Sequence, residues 1–377
     1  MIESPPFWFY ILGFILLLGP LVTVHEFGHY LVGRLFGVGV EAFSVGFGKE
    51  IAGFTDRRGT RWKLSALPLG GYCQFKGDMN PASMPDAAAL AAMAPGERDG
   101  SFHHAPLWQR ALIVLAGPLT NVIVALAIFA GFFMIYGRPV QADPAQTNIV
   151  QAFSEGSVAE AAGVRVGDRI ASIDGEPMTE FRDVTERIIM HPGERIVLEV
   201  VRNGDAIRLP LTIGSAVETD KFGNSSRVGR LGVYSSPLRF EKVGPLEAGR
   251  LAVSESIGLV RMMVVGIGQI LTGRRSVEEL GGPIKIAKFS GEQLSLGAPA
   301  FVSFAALISL NLAFINLLPI PALDGGHLAF YAAEAVRRRP VGPRGQEMAF
   351  RAGVAVILAL MLFVTVNDLL SLPIFGR

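Results

Sequence analysis

Four long stretches of this chain are apolar and nearly free of charge, and their spacing predicts its architecture. They run over about 6–30, 110–138, 298–321 and 349–369. Each is long enough to cross a bilayer, which takes about 20 apolar residues. A fifth apolar stretch, 253–271, is interrupted by Glu255 and Arg261. It reads as an amphipathic helix lying on the membrane surface or against the bundle. Between the first two spans the pattern changes to short strand-like segments at 43–47, 62–67 and 72–75. Asp56-Arg57-Arg58-Gly59 and Gly70-Gly71 separate them. The alanine-rich run 87–94 reads as a short helix or a mobile linker.

The segment after the second span has the pattern of a small α/β domain. Strands are expected at 147–153 and 169–173, the latter leading to Asp174-Gly175, with helices at 157–162 and 179–190. A hairpin of 196–201 and 207–213 turns at Asn203-Gly204, the strongest short hairpin signal. The chain therefore divides into a first span (1–35), a β segment and loop (36–107), a second span (108–138) and an inserted domain (141–236). A connector (237–297), a third span (298–326) and a loop with the fourth span (327–377) follow. The fold class is a multi-pass α-helical membrane protein with four transmembrane helices.

Composition supports a lipid environment. Half of the residues are hydrophobic, mean hydropathy is +0.41, and 18% are charged, below the roughly 25% of soluble domains. With a net charge of +1 and no basic run interleaved with aromatics, nothing points to nucleic acid. The single cysteine, Cys73, excludes an internal disulfide framework and a cysteine-rich metal site. No basic region or small-residue cleavage site precedes the first span, which is expected to be retained.

Lysine and arginine set the orientation. Lys49, Arg57, Arg58, Arg61, Lys63 and Lys76 follow the first span, and Arg337, Arg338, Arg339 and Arg344 follow the third. Both loops are expected on the cytoplasmic side. The termini and the 141–236 domain then face outward.

The chemistry sits at the end of the first span. His25-Glu26-Phe27-Gly28-His29 closes a run in which nothing from Ser4 to Val24 is charged. Histidines four apart share one helix face, with β-carbons about 5–6 Å apart. That spacing lets both imidazoles hold one zinc, while the glutamate between them takes a proton from the attacking water. Ionisable groups at membrane depth are costly and read as functional. The first and third spans both run inward, so their C-terminal ends share a depth. Asp324, the first charge after Glu292, arrives there and completes two histidines plus one carboxylate, a set that leaves a fourth position open. Pro319 and Pro321 break the helix before it, which membrane depth tolerates only beside protein or a cavity. His103 and His104 lie in a polar stretch and read as solvated, His191 reads as a loop residue, and His327 is a candidate neighbour of the metal.

These motifs resemble the site-2 protease family of intramembrane zinc metalloproteases, in particular the bacterial regulator-of-sigma-E protease (RseP) type. The resemblance rests on residues 25–29, on Ala116-Gly-Pro-Leu-Thr-Asn121, and on Asn316-Leu-Leu-Pro-Ile-Pro-Ala-Leu-Asp-Gly-Gly326. Phe43-Ser-Val-Gly-Phe-Gly48 and Pro68-Leu-Gly-Gly-Tyr72 resemble that family's membrane-associated β segment. The resemblance implies zinc held by His25, His29 and Asp324, with Glu26 as general base. It further implies Asn316 on the substrate or transition state and Asn121 supporting the core. Implied partners are single-pass membrane proteins already trimmed by another protease, cut in the bacterial inner membrane. Such a substrate helix must be unwound and held extended, and adding it to a sheet edge does this; Gly70 and Gly71 permit the close backbone approach.

Gly156–Ile170 with Asp174-Gly175 resembles a PDZ domain of the permuted bacterial kind. Arg230, Leu231, Gly232 and Val233 would form its carboxylate-binding loop. Such a domain binds peptide tails as an added strand, or acts as a filter excluding bulky substrates; both roles stay open. Two other classes compete. A non-catalytic adaptor with a structural zinc would need four protein ligands, and a transporter would show repeated halves with matching broken helices.

Overall fold

The computed structural model describes residues 5–78, 93–143, 147–222, 224–277, 280–339 and 342–370. Except for its last two positions, the alanine-rich run 87–94 lies outside them. Two compact units divide the described chain: 130–251 with 261–274, and 5–129 with 252–260 and 275–370.

In the larger unit, α1 (Phe7–Leu35) continues past the expected end of the first span. Strands β1 (Val40–Thr55) and β2 (Arg61–Phe75) follow. Their register folds them twice. Phe43, Ser44 and Val45 face Cys73, Tyr72 and Gly71 on one side, and Trp62, Lys63 and Leu64 on the other. The second set rises together, so that arm is parallel. Glu50, Ala52 and Phe54 pair with Ser65, Leu64 and Trp62. The segment 40–45 is thus central, and 71–75 is a sheet edge. Asp56 Oδ1 closes the expected tight turn by accepting the N–H groups of Arg58 (2.8 Å) and Thr60 (3.0 Å). Ile51, Phe54, Leu64 and Leu67 are exposed, an apolar surface suited to lipid.

Helix α2 (Leu107–Tyr136) carries Pro118 within it. Near the end of the larger unit, α6 (Pro283–Ser295), α7 (Ala298–Asn316), α8 (Asp324–Arg337) and α9 (Pro343–Leu370) follow in order. The third span ends at Asn316, before the two prolines, as their lost N–H groups require. Leu17 and Leu21 of α1 pack with Ile308 of α7, and both chains then descend to the residues of the site, so the two helices run in the same direction. Helix α6 is not visible in the apolar pattern because Lys285, Lys288 and Glu292 interrupt it. It docks on α1 backbone to backbone. A β-carbon on Gly13 would stand 2.7 Å from the Ser290 carbonyl carbon, and one on Gly291 would stand 2.8 Å from the Tyr10 nitrogen. Buried Asp368 of α9 caps α6, accepting the N–H groups of Gly282 and Lys285 at 3.0 Å.

In the other unit, β3 (Arg138–Gln141) pairs with β12 (Leu238–Glu241). Between them lie β4 (Ala152–Phe153), α3 (Val158–Ala161), β5 (Arg169–Ile173), β6 (Glu176–Pro177), α4 (Phe181–Ile189), β7 (Arg195–Arg202) and β8 (Asp205–Thr212). The hairpin β9 (Gly214–Thr219) and β10 (Ser225–Arg230), then β11 (Val233–Tyr234), complete it. The main sheet has the order β6-β5-β7-β8. Asn203 and Gly204, with φ of 53° and 96°, make the turn between β7 and β8, the geometry of a type I′ turn. Only part of the expected 147–153 strand forms. Asn148 takes φ 61° and donates its side-chain N–H to the Met178 carbonyl, which interrupts the ladder. Val150, Ile170, Ile173, Leu198 and Val200, each fully buried, form the core. Beside it Asp168, 1% exposed, receives Arg202 at 2.7 Å. Burial pushes its carboxyl up, but the hydrogen bonds from Arg202 and the Arg165 N–H outweigh this and hold it below the usual range.

Helix α5 (Pro245–Leu271) extends the expected amphipathic stretch. Near its start Glu247 pairs with Arg138 at 3.0 Å, and near its end Gln269 donates to the Met190 carbonyl at 2.8 Å. Both ends are therefore tied to the unit that carries the inserted domain. By length and composition alone, five helices among the described residues qualify as membrane spans: the four expected and this one.

Candidate metal centre

Three side chains from two distant parts of the chain converge. His25 Nε2 lies 3.2 Å from His29 Nε2 and 3.1 Å from Asp324 Oδ2, and His29 Nε2 lies 3.6 Å from Asp324 Oδ1. Two ligands each about 2.0–2.1 Å from one tetrahedral ion stand roughly 3.3 Å apart, so the spacing suits a shared zinc. Asp324 Oδ2 is buried and makes no hydrogen bond. A buried carboxylate oxygen left so costs free energy, which a cation would recover.

The ring nitrogens on the far side are held as metal ligands require. His29 Nδ1 is 2.8 Å from the Ile113 carbonyl oxygen, so it donates there and leaves Nε2 bare. Asn121 places its side-chain amide 3.3 Å from His25 Nδ1. Its Oδ1 is buried without a partner; turning the amide brings that oxygen to the ring, where it accepts Nδ1–H and fixes the matching tautomer. Ser309 Oγ donates to the Asn121 carbonyl at 2.8 Å and ties α7 to this turn of α2.

Glycines make the approach possible. A β-carbon at Gly117 would stand 2.3 Å from His29 Nε2. One at Gly28 would stand 2.5 Å from the Ala116 carbonyl oxygen. Asp324 opens α8, and Gly325 and Gly326 behind it lie against backbone: a β-carbon on either would come within 2.4 Å of the carbonyl oxygens of Leu317, Leu318 or Ile320. Ala322, at φ 85°, turns the chain into that start. Gly353 of α9 presses on the Pro321 carbonyl from outside.

Glu26 stands beside the metal set, and its Oε2 accepts the N–H of Cys73 at 3.1 Å. A cavity of about 240 Å³ joins these groups, lined by Glu26, Cys73, Phe75, Asn121, Asn316 and His327 among others. Asn316 thus faces the site, as does His327. Pro319 and Pro321 do not line the cavity; Ala322 and Leu323 hold that part of the wall. Gly71 borders the site, a β-carbon there lying 3.7 Å from Glu26 Cγ, and Gly70 lies against the Phe47 ring. His103 differs from the expectation of a solvated residue: its side chain is 11% exposed, with Nε2 2.8 Å from buried Asp78 Oδ1. His104 is exposed, as expected. In the inserted domain, the Leu231 carbonyl accepts Ala159 N–H and Ser157 Oγ, the Gly232 carbonyl accepts Ser154 N–H, and Val233 pairs with Phe153. Arg230 is exposed at the end of β10.

Residues 13–360 match the profile described as Peptidase family M50. A protein of Agrobacterium fabrum provisionally named a zinc metalloprotease is 46% identical over 367 residues, 96% of each chain. A Rhizobium meliloti protein with the same provisional name is 46% identical over 360 residues, covering 94% of this chain and 95% of the other. Metalloprotease MmpA of Caulobacter vibrioides is 35% identical over 388 residues, with 97% and 96% covered.

Proposed function

The chain belongs to peptidase family M50, the site-2 protease family of zinc metalloproteases, and on that premise we propose that it cuts single-pass membrane proteins within the bilayer of a bacterial inner membrane. The observation that carries this reading is the meeting of His25 and His29 of α1 with Asp324, which opens α8 just beyond the apolar helix α7. These three side chains would hold the zinc. Zinc, when bound there, supplies Lewis-acid polarisation of the scissile carbonyl and acidifies the attacking water.

The rest of the chemistry belongs to the chain's own groups. Glu26 takes the proton from the water and passes it to the leaving amine. Cys73 N–H holds one of its oxygens, leaving Oε1 for the transfer. Asn316 reaches the same cavity and offers a polar contact to the reacting peptide. The substrate strand adds to the β2 edge at Gly70 and Gly71.

Four spans fit this reading. Parallel α1 and α7 require an odd number of crossings between them, and α2 supplies that one inward-to-outward passage. A crossing by α5 would reverse α7 and carry Asp324 away from the histidines. The ties of both ends of α5 to one unit agree. The inserted domain, of PDZ type, then faces outward and receives or excludes substrates already trimmed by another protease, in the manner of regulated intramembrane proteolysis. Purified protein in zinc-containing proteoliposomes, given a trimmed single-pass substrate, tests this. Mass spectrometry of the products should place the cut inside the substrate's apolar segment. A cut confined to its soluble flanks would overturn the intramembrane reading.

A further inference from the structure

Asp324, His327, Tyr331 and Glu334 follow one another at intervals of three and four residues along α8, so they share one face of that helix. Both ends of this face are anchored. Asp324 meets His25 and His29 at one end. At the other, Arg110 of α2 donates from Nη2 to Glu334 Oε1 at 3.0 Å, and its guanidinium lies 5.0 Å from the centre of the Tyr331 ring. His327 stands between the anchors and lines the cavity that also holds Glu26 and Asn316. A long helical side chain leans over the turn before its own Cα, which carries this imidazole toward Asp324. The cavity, about 240 Å³, is smaller than most small-molecule pockets, so its lining groups look onto the same few atoms of a peptide.

The other five histidines each place a ring nitrogen within hydrogen-bond distance of a protein atom. The His327 ring has no such partner among the described residues. Asp78, the other carboxylate near it, already meets His103 Nε2 at 2.8 Å and accepts the Phe75 N–H at 3.1 Å. The aim of the ring is therefore set by the helix, and its N–H is left for what enters the cavity.

We propose that His327 is a further catalytic residue, which donates an N–H hydrogen bond to the carbonyl oxygen of the scissile peptide as that oxygen gains charge. The proposal rests on the reading of this site as one that hydrolyses a peptide. When water adds to the carbonyl carbon, the π pair of the C=O bond moves onto oxygen. When the C–N bond breaks, that pair returns, and the nitrogen leaves with the proton that Glu26 delivers. A donor fixed where this charge develops stabilises it, and the ground-state carbonyl gains much less. Neutral imidazole has one N–H and imidazolium two, so the role needs no change of protonation.

The test uses the full chain with zinc in proteoliposomes and three measurements. The first is kcat and KM for a trimmed single-pass substrate. The second is the affinity of a phosphinic peptide of the same sequence, whose tetrahedral anion imitates the transition state. The third is the affinity of Glu26→Gln protein for the substrate itself. His327→Phe keeps a ring in place and removes both nitrogens. It should lower kcat by about 10²-fold, the scale of losing one such donor, and weaken the phosphinic peptide by a similar factor. KM, zinc content and substrate affinity in the Glu26→Gln background should stay as in wild type. His327→Gln, which keeps an N–H donor, should recover part of the lost kcat. If the phenyl ring disturbs folding, His327→Ala carries the same expectations. Unchanged kcat and phosphinic affinity overturn the proposal. Equal losses of phosphinic peptide and substrate also overturn it, because the ring then only shapes the pocket, and so does loss of zinc, which makes it a support of the metal. A wild-type protein that binds the phosphinic peptide no better with zinc than without it points elsewhere: the hydrolytic reading itself then fails.

Discussion

Gly117 lies so close beneath His29 that a β-carbon there would stand 2.3 Å from Nε2, and 2.8 Å from His25 Nε2. The second span therefore forms one wall of the metal site with bare backbone. Gly117→Ala should displace both imidazoles and lower zinc retention by tenfold or more, a loss of about 1.4 kcal/mol or greater. Gly131→Ala, on the same helix with nothing within 4 Å of its β-carbon, should be silent. Zinc content after dialysis against a weak chelator compares the two, and equal retention would remove Gly117 from the site.

Cys73 contributes its backbone and not its sulfur. The thiol is buried, and the contact to Glu26 is made by N–H. Cys73→Ala should keep most of the turnover, because it keeps that donor. Cys73→Pro removes it and should cost at least tenfold in kcat while zinc stays bound. Steady-state cleavage of a trimmed substrate, alongside zinc content, distinguishes them. A dead Cys73→Ala enzyme would mean that the sulfur matters.

The inserted domain should weaken in acid through Asp168. Its carboxyl is held below the usual range when folded, so the stabilisation is complete above an unfolded value of about 3.9 and is lost as pH falls through the lower folded value. Asp168→Asn should destabilise the domain by about 1–3 kcal/mol near neutral pH and flatten its acid sensitivity. Hydrogen exchange of the β5 and β7 amides between pH 3 and 6, corrected for intrinsic rates, provides the readout. Equal protection in both proteins across that range would refute the role.

Much of this was legible in the amino-acid order, for physical reasons that differ by region. Lipid disfavours charge, so the charge-poor runs at 6–30, 110–138, 298–321 and 349–369 mark helices directly. Asn203-Gly204 demanded its hairpin because both positions need positive φ. Asp324 was reachable because a lone carboxylate at the end of an apolar run must meet a partner. What escaped depends on distance between chain segments. Nothing local marks the Ile113 carbonyl as the acceptor for His29, and a glycine before Pro118 looks like any helix irregularity until the histidines arrive. His103 read as solvated because its neighbours are polar, yet Asp78 buries it from 25 residues away. The twofold pairing of β1 is likewise hidden, since strand patterns show which residues alternate and not how many partners a strand has. Helix α6 was missed because its charged residues masked the packing of Gly291 on α1.

In the proposed mechanism Glu26 moves the proton while His25, His29 and Asp324 hold the metal. The most direct measurement is paired zinc content and single-turnover cleavage for wild type, Glu26→Gln and Asp324→Ala in the same lipid. Glu26→Gln should retain about one zinc per chain and lose turnover by at least 10²-fold, in line with general acid–base contributions of 10²–10⁴. Asp324→Ala should lose both zinc and turnover with the helical bundle intact by circular dichroism. Near-normal turnover in Glu26→Gln, or undiminished zinc in Asp324→Ala, would rule out this division of roles.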